Sequence, residues 1–254
     1  MREIASCWRG VAGAGNTLRV KRGAVLAALM ILVGESTTAH AGGISLQELL
    51  PRLAVTSAHF ESDLTKASYT VEGHIETIDR DGSASDRREG AFRVLPDGKR
   101  RRFEVLRYTE DGENKLEEAR EKAEESSRKE PKDEDETHMP FLASEQPKYV
   151  FHVRETDKAD PARVRIAFVP KRAEKTLVVG SAWVDTRTGD VLTMGIAPSK
   201  TGLFVDYLHV TIEFGERMGD GPSVSRVTFE GSGGILLFHR KFRGAAHLFG
   251  YRVH

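Results

Sequence analysis

The chain has 254 residues, with 38 basic and 38 acidic side chains and a formal net charge of zero. No basic stripe is interleaved with aromatics, so an electrostatic nucleic-acid footprint is excluded. The single cysteine, Cys7, excludes a disulfide framework and a Cys-based zinc site.

Arg19, Lys21 and Arg22 precede an apolar run from Ala24 to Gly34, and the polar stretch that follows ends in Ala39-His40-Ala41. A basic segment, an apolar segment and an A-x-A site in this order predict a cleavable secretory signal over residues 1–41. The run is shorter than the roughly 20 apolar residues that span a bilayer. The expected mature chain begins near Gly42, carries no thiol and no membrane-spanning segment, and is periplasmic or secreted. Val20 is the expected true initiator, since residues 1–18 add little to a signal opening at Lys21 and Arg22.

Residues 42–254 read as a single domain. Ser45-Leu46-Gln47-Glu48 has the spacing of a capping box. Leu46, Leu49, Leu50, Leu53, Phe60 and Leu64 recur at helical spacing. An amphipathic helix is expected, with a kink or a late start at Pro51. From Ser68 the period falls to two: Tyr69, Val71, Gly73 and Ile75 alternate with polar residues. Turns at Asp79–Gly82 and Pro96–Gly98 separate this strand from a second, Arg87 to Leu95, and a third around Phe103 and Val105.

Residues 113–146 interrupt the meander as a charged helical insertion. A solvated helix over Glu113–Lys129 has a thin apolar face of Leu116, Ala119 and Ala123, and a flexible loop is expected from Glu130 to near Pro147. The insertion is read as solvated, with an acidic partner-binding arm as the sharper alternative. Strands then return at 149–153, 164–168, 177–185, 191–197, 205–214, 224–230, 235–240 and 248–253. Their spacing indicates an antiparallel barrel or sandwich of about eleven strands, and no βαβ alternation is present. Leu177 to Val179, Leu192 to Ile196 and Ile235 to Phe238 are apolar on both faces. Such strands need cover on both sides, from the sheet's own closure, the helix or a ligand.

Catalytic and metal signatures are wanting. The histidines after the leader (His59, His74, His138, His152, His209, His239, His247 and His254) form no metal-ligand spacing. Asp79-x-Asp81-Gly82 lacks the remaining carboxylates of a calcium loop and reads as a hairpin turn. There is no G-x-S-x-G elbow, and Ser232-Gly233-Gly234 reads as a turn. No metal, no cofactor and no enzymatic activity are expected. Arg88, Arg93, Arg100, Arg101 and Arg102 cluster across the second hairpin, either as solvated strand positions or as an anionic headgroup contact. Trp183 is expected in the core.

The segment Trp183-Val184-Asp185-Thr186-Arg187-Thr188-Gly189, followed by Val191–Met194, Pro198-Ser199-Lys200 and the paired stretches 205–214 and 224–230, resembles the LolA/LolB-like superfamily of bacterial envelope proteins. The resemblance covers 148–253 well and 45–108 loosely. It implies a curved, incompletely closed antiparallel β-barrel of about eleven strands, with helices as a lid over an apolar face. It further implies a periplasmic carrier of lipoprotein or lipid acyl chains in outer-membrane sorting, or alternatively an envelope sensor or regulatory domain with a protein partner, as in RseB-type relatives. The lid-locking arginine of the carriers has no clear counterpart among Arg87, Arg88 and Arg93, and none is assigned. The expected acyl-binding residues are Leu46, Leu50, Leu53 and Phe60 on the helix. On the strands they are Phe92, Val94, Phe103, Val105, Phe151, Phe168, Met194 and Ile196. Plain core packing is the competing reading for each, because a two-residue period does not separate groove from core.

Overall fold

The computed structural model describes residues 45–254 apart from 80, 98–99, 129–136, 203–204 and 236–237. The expected leader, the acidic run at 130–136 and the centre of the 235–238 segment lie outside the described residues. Helix α1 (Leu46–Lys66) leads directly into β1 (Ala67–Ile78), β2 (Ala84–Asp97), β3 (Arg100–Glu110) and the two-residue β4 (Glu113–Asn114). Helix α2 (Leu116–Arg128) follows, and a short 3₁₀ turn (Gln146–Lys148) delivers the chain to β5 (Tyr149–Thr156). Strands β6 (Arg163–Pro170), β7 (Val178–Asp185), β8 (Asp190–Pro198) and β9 (Val205–Glu213) come next. The small hairpin β10 (Glu216–Met218) and β11 (Gly221–Ser223) precedes β12 (Arg226–Ile235) and β13 (Phe238–Val253).

All but β10 and β11 form one eleven-stranded sheet in the order β4-β3-β2-β1-β13-β12-β9-β8-β7-β6-β5. Every pairing is antiparallel. The protein is mainly β, and its large sheet does not close into a barrel: β4 and β5 stand at opposite edges. Two strands expected at 235–240 and 248–253 are one, β13, which bridges the C-terminal half to β1.

Among the described residues, α1 and α2 lie on one face of the sheet and no element covers the other, here the bare face. Leu49, Leu53, Val94, Phe168, Ile166, Met194, Ile196 and Val227 form the main core on the helix side. A second cluster of Phe92, Val105, Tyr108, Ala119 and Ala123 lies beside it. Phe103 packs against both.

Four local expectations are corrected. The helix does not start late at Pro51: α1 begins at its capping box and continues through the proline, where one intrahelical hydrogen bond is forfeited. Ser232-Gly233-Gly234 lies inside β12 rather than in a turn. The preceding Gly231 serves close packing: a Cβ there would sit 2.5 Å from the Phe242 ring across the strand pair. The end of the insertion is not a flexible loop, because Met139, Pro140 and Phe141 are buried, Phe141 completely. Three apolar residues in a polar stretch gain more by docking than by staying solvated. Trp183 alternates with buried Ala182 and Val184, so it stands half-buried on the bare face, opposite Arg165 and Thr193.

Candidate functional site

The candidate site is the apolar sheet face beneath α1. The helix starts because Ser45 and Glu48 cap each other: the Glu48 N–H donates to Ser45 Oγ at 3.3 Å and the Ser45 N–H to Glu48 Oε2 at 3.0 Å. Leu49, Leu53 and Ser57 form its deepest stripe, flanked by Leu46, Leu50, Phe60 and Leu64. Full burial of each leucine contributes about 1.5–3 kcal/mol. Phe60 meets Phe214 edge-on at 5.6 Å. Phe141 enters from the end of the insertion, stacked on Phe151 at 5.8 Å and edge-on to Phe168 at 5.6 Å.

Polar contacts surround this apolar seal. On the N-terminal half of α1, Arg52 Nη1 donates to the Thr186 carbonyl at 3.3 Å and Thr56 Oγ1 to the Gly189 carbonyl at 2.6 Å. Gln146 Nε2 donates to the Leu50 carbonyl at 2.8 Å. On the C-terminal half, Glu61 accepts from the Met139 N–H at 3.0 Å. Arg101 Nη2 donates to the Leu64 carbonyl at 2.5 Å, and its guanidinium lies 5.8 Å from the centre of the Tyr69 ring.

The β7–β8 turn that receives Arg52 and Thr56 is itself braced. Asp185 accepts from the Arg187 N–H at 2.8 Å and pairs with Arg187 Nη2 at 2.6 Å, while Asp160 holds the same guanidinium at 3.1 Å. The hydrogen bond from the Arg187 side chain keeps the Asp185 carboxyl below its ordinary value of 3.8. Gly189 closes the turn at φ +79, and a Cβ there would lie 3.0 Å from Arg52 Cβ and 3.1 Å from its carbonyl carbon. This turn is the Trp183–Gly189 segment on which the sequence resemblance rests.

Of the expected acyl-binding residues, Leu46, Leu50, Leu53, Phe60, Val94, Phe151, Phe168, Met194 and Ile196 are gathered under or on α1. Phe92 and Val105 lie under α2 instead, and Phe103 touches both groups. The hollow is covered: Leu53 and Phe168 are fully buried and Met194 is 1 % exposed. Arg52, Thr56 and Phe141 are the participants that sequence reasoning passed over, while Leu49 stood in the helical stripe and Arg101 in the arginine cluster without either being given a part in this site. Phe141 was signalled by the apolar run Met139–Leu142 in a polar insertion; no spacing singles out Arg52 or Thr56. Arg87, Arg88 and Arg93 pair with Glu89, Glu110 and Glu104 at 2.7, 2.8 and 3.2 Å, so they are strand positions, whereas Arg101 reaches the helix.

On the bare face, a depression of about 400 Å³ is lined by His74, His209, Thr211, Thr228, Glu230 and Arg243 among others, and by none of the expected acyl-binding residues. Beside it Arg243 bonds Glu76 at 2.5 Å and holds that carboxyl below 4.5. Among the described residues no helix is long and apolar enough to cross a membrane.

No family model and no curated protein matches the chain. Solved structures do. A LolA superfamily protein from Nitrosomonas europaea matches at 10% identity over 83% of this chain and 94% of its own, with a TM-score of 0.35. The Pseudomonas aeruginosa MucA/MucB complex matches at 12% identity over 85% and 99%, TM-score 0.23. MucB bound to MucA(peri) matches at 12% identity over 81% and 97%, TM-score 0.22. The sequence resembles the same LolA-like group. At these TM-scores the overlays assign no residue a role, and the roles below come from this chain's own geometry.

Proposed function

We propose that the protein is a non-catalytic binding protein of the bacterial envelope that takes acyl chains of a lipid or lipoprotein onto the sheet face now covered by α1. The observation that carries this reading is the kind of seal α1 makes. An amphipathic helix rests on a continuous apolar face, and a few hydrogen bonds around its margin fix its position. Burying an acyl chain gains about 0.8 kcal/mol per CH₂. Ten methylenes therefore offset roughly 8 kcal/mol, comparable to the contacts of Leu49, Leu53 and their neighbours. An acyl chain thus has the right chemistry and the right energy scale to take the place of the helix.

A regulatory domain with a protein partner is the second reading, favoured by the exposed acidic side of α2, which carries Glu117, Glu118 and Glu121. Native mass spectrometry of the protein purified from envelope fractions tests both. A co-purifying mass that fragments as an acyl lipid is expected. A protein partner lost from the Glu117→Gln/Glu118→Gln/Glu121→Gln variant supports the second reading instead, and a bare chain in every preparation overturns both.

A further inference from the structure

We infer that the outer edge of β5 is a strand-addition site for an extended, acidic segment of another polypeptide. The two edges of the open sheet are finished differently. β4 is two residues long, and α2 packs over the neighbouring β3. β5 runs for eight residues, Tyr149–Thr156, and among the described residues no strand pairs with its outer side. The bond from the Lys171 N–H to the Lys148 carbonyl at 2.8 Å sets the phase of the β5–β6 ladder. Residues 148, 150 and 152 therefore bond towards β6, while Phe151 and Val153 turn their N–H and C=O groups outward. Among the described residues no loop or side chain takes up those groups. A long edge left in this state is a template for a further strand.

Apolar side chains flank this edge on both faces. On the helix side Phe151 and Val153 are only partly buried. On the bare face the paired Val150 and Val169 are each 42% exposed. A strand laid against β5 turns its side chains alternately to the two faces, so apolar residues along it gain contacts while its backbone bonds Phe151 and Val153. Charge selects the kind of segment. The register slips between Val153 and Glu155, which leaves the exposed Arg154 at the bulge. Arg154 and the exposed His152 have no acidic partner among the described residues, because Glu155 pairs with Arg165 at 3.5 Å and Glu145 with Lys148 at 2.8 Å. A carboxylate on the incoming strand supplies the missing counter-charge. A second copy of this chain does not. Antiparallel pairing of two β5 strands about His152 sets His152 against itself and Arg154 against Val150. The register that opposes Arg154 to Glu155 overlaps only from Val153 to Thr156 and leaves Val150 uncovered.

Fluorescence anisotropy on the full chain tests the edge with three fluorescein-labelled probes: the peptide Thr-Val-Glu-Val-Thr-Val-Glu, its counterpart with lysine for glutamate, and the acidic peptide N-methylated throughout. The acidic peptide is expected to bind about fivefold more tightly than the basic one, and N-methylation, which removes the backbone donors, should abolish binding. Arg154→Glu, at an exposed position, should reverse the preference between the two charged peptides. Val153→Pro removes an outward N–H and no bond to β6, so it should weaken the acidic peptide about tenfold. If that variant fails to fold, the N-methylated peptide puts the same question to the wild-type protein. No binding of the acidic peptide at about 1 mM, equal affinity for both charged peptides, a preference that Arg154→Glu leaves unchanged, or undiminished binding of the N-methylated peptide overturns the inference. A dimer of the chain alone in sedimentation that Val153→Pro dissociates also overturns it, by giving the edge to a second copy. The edge lies outside the α1 contact and away from α2, so this result stands apart from acyl uptake and from the acidic side of α2.

Discussion

α1 presents Leu49 and Leu53 to the sheet, whereas α2, on the same face one cluster away, presents Ala119 and Ala123. The difference sets how each helix is held. Large side chains carry α1 into the central core, where Phe168, Ile166 and Met194 come from strands distant in sequence. Small side chains bring α2 close to β3, over Val105, Tyr108 and Phe92, with little volume buried per residue. Outward from the contact, α2 is almost wholly charged, while α1 carries the polar side chains that bind the surrounding turns. A helix that buries bulk and is fixed at its margins suits a cover that moves; one seated close on alanines suits a permanent patch.

Leu53→Ala breaks that comparison most directly. It removes a fully buried side chain from the α1 contact and should lower unfolding free energy by about 2–5 kcal/mol. Urea denaturation at neutral pH measures it, and a loss below about 1 kcal/mol would mean that α1 contributes little to the core. Ala119→Leu tests the other helix from the opposite direction. Ala119 is fully buried against β3, so the three extra heavy atoms of leucine have no room there and overpacking should cost about 1–3 kcal/mol. The loss should be confined to α2, with faster amide exchange in 116–128 and none in 46–66. Exchange that rises in both helices would show that the two clusters, joined through Phe103, behave as one.

Much of this architecture was legible in the sequence. Ser45 and Glu48 announced the start of α1, and the two-residue alternation from Tyr69 announced the meander, because both signals are local. The strand number and antiparallel character followed from turn spacing. Closure did not: whether β4 and β5 meet is decided by twist summed over eleven strands, a quantity no short window holds. The site was legible by type and not by membership. Phe92 and Val94 are equivalent in the alternation, yet one lies under α2 and the other under α1. Phe141, Arg52 and Thr56 act through partners 10 to 134 positions away, so only the folded chain reveals them.

The smallest effect expected concerns acid, and it separates the margin of α1 from the rest of the sheet. Asp185 is held below its ordinary 3.8 chiefly by the hydrogen bond from Arg187; Glu76, on the bare face, is held below 4.5 chiefly by the one from Arg243. A carboxyl with a lowered folded-state pKa contributes stability that is full above its unfolded value and is lost as pH falls through the lowered one. Both contributions should therefore be intact at pH 6 and fade below about pH 4. Because Arg187 and Arg243 are 61% and 62% exposed, solvent screening keeps each effect small, about 3 °C or less in Tm. Asp185→Asn should flatten its share of the acid limb and loosen amides 46–57 at pH 6, since the turn that receives Thr56 loses its brace. Glu76→Gln should flatten the acid limb alone. If Glu76→Gln also loosens 46–57, the two faces of the sheet are coupled and the contacts around α1 are not an independent device.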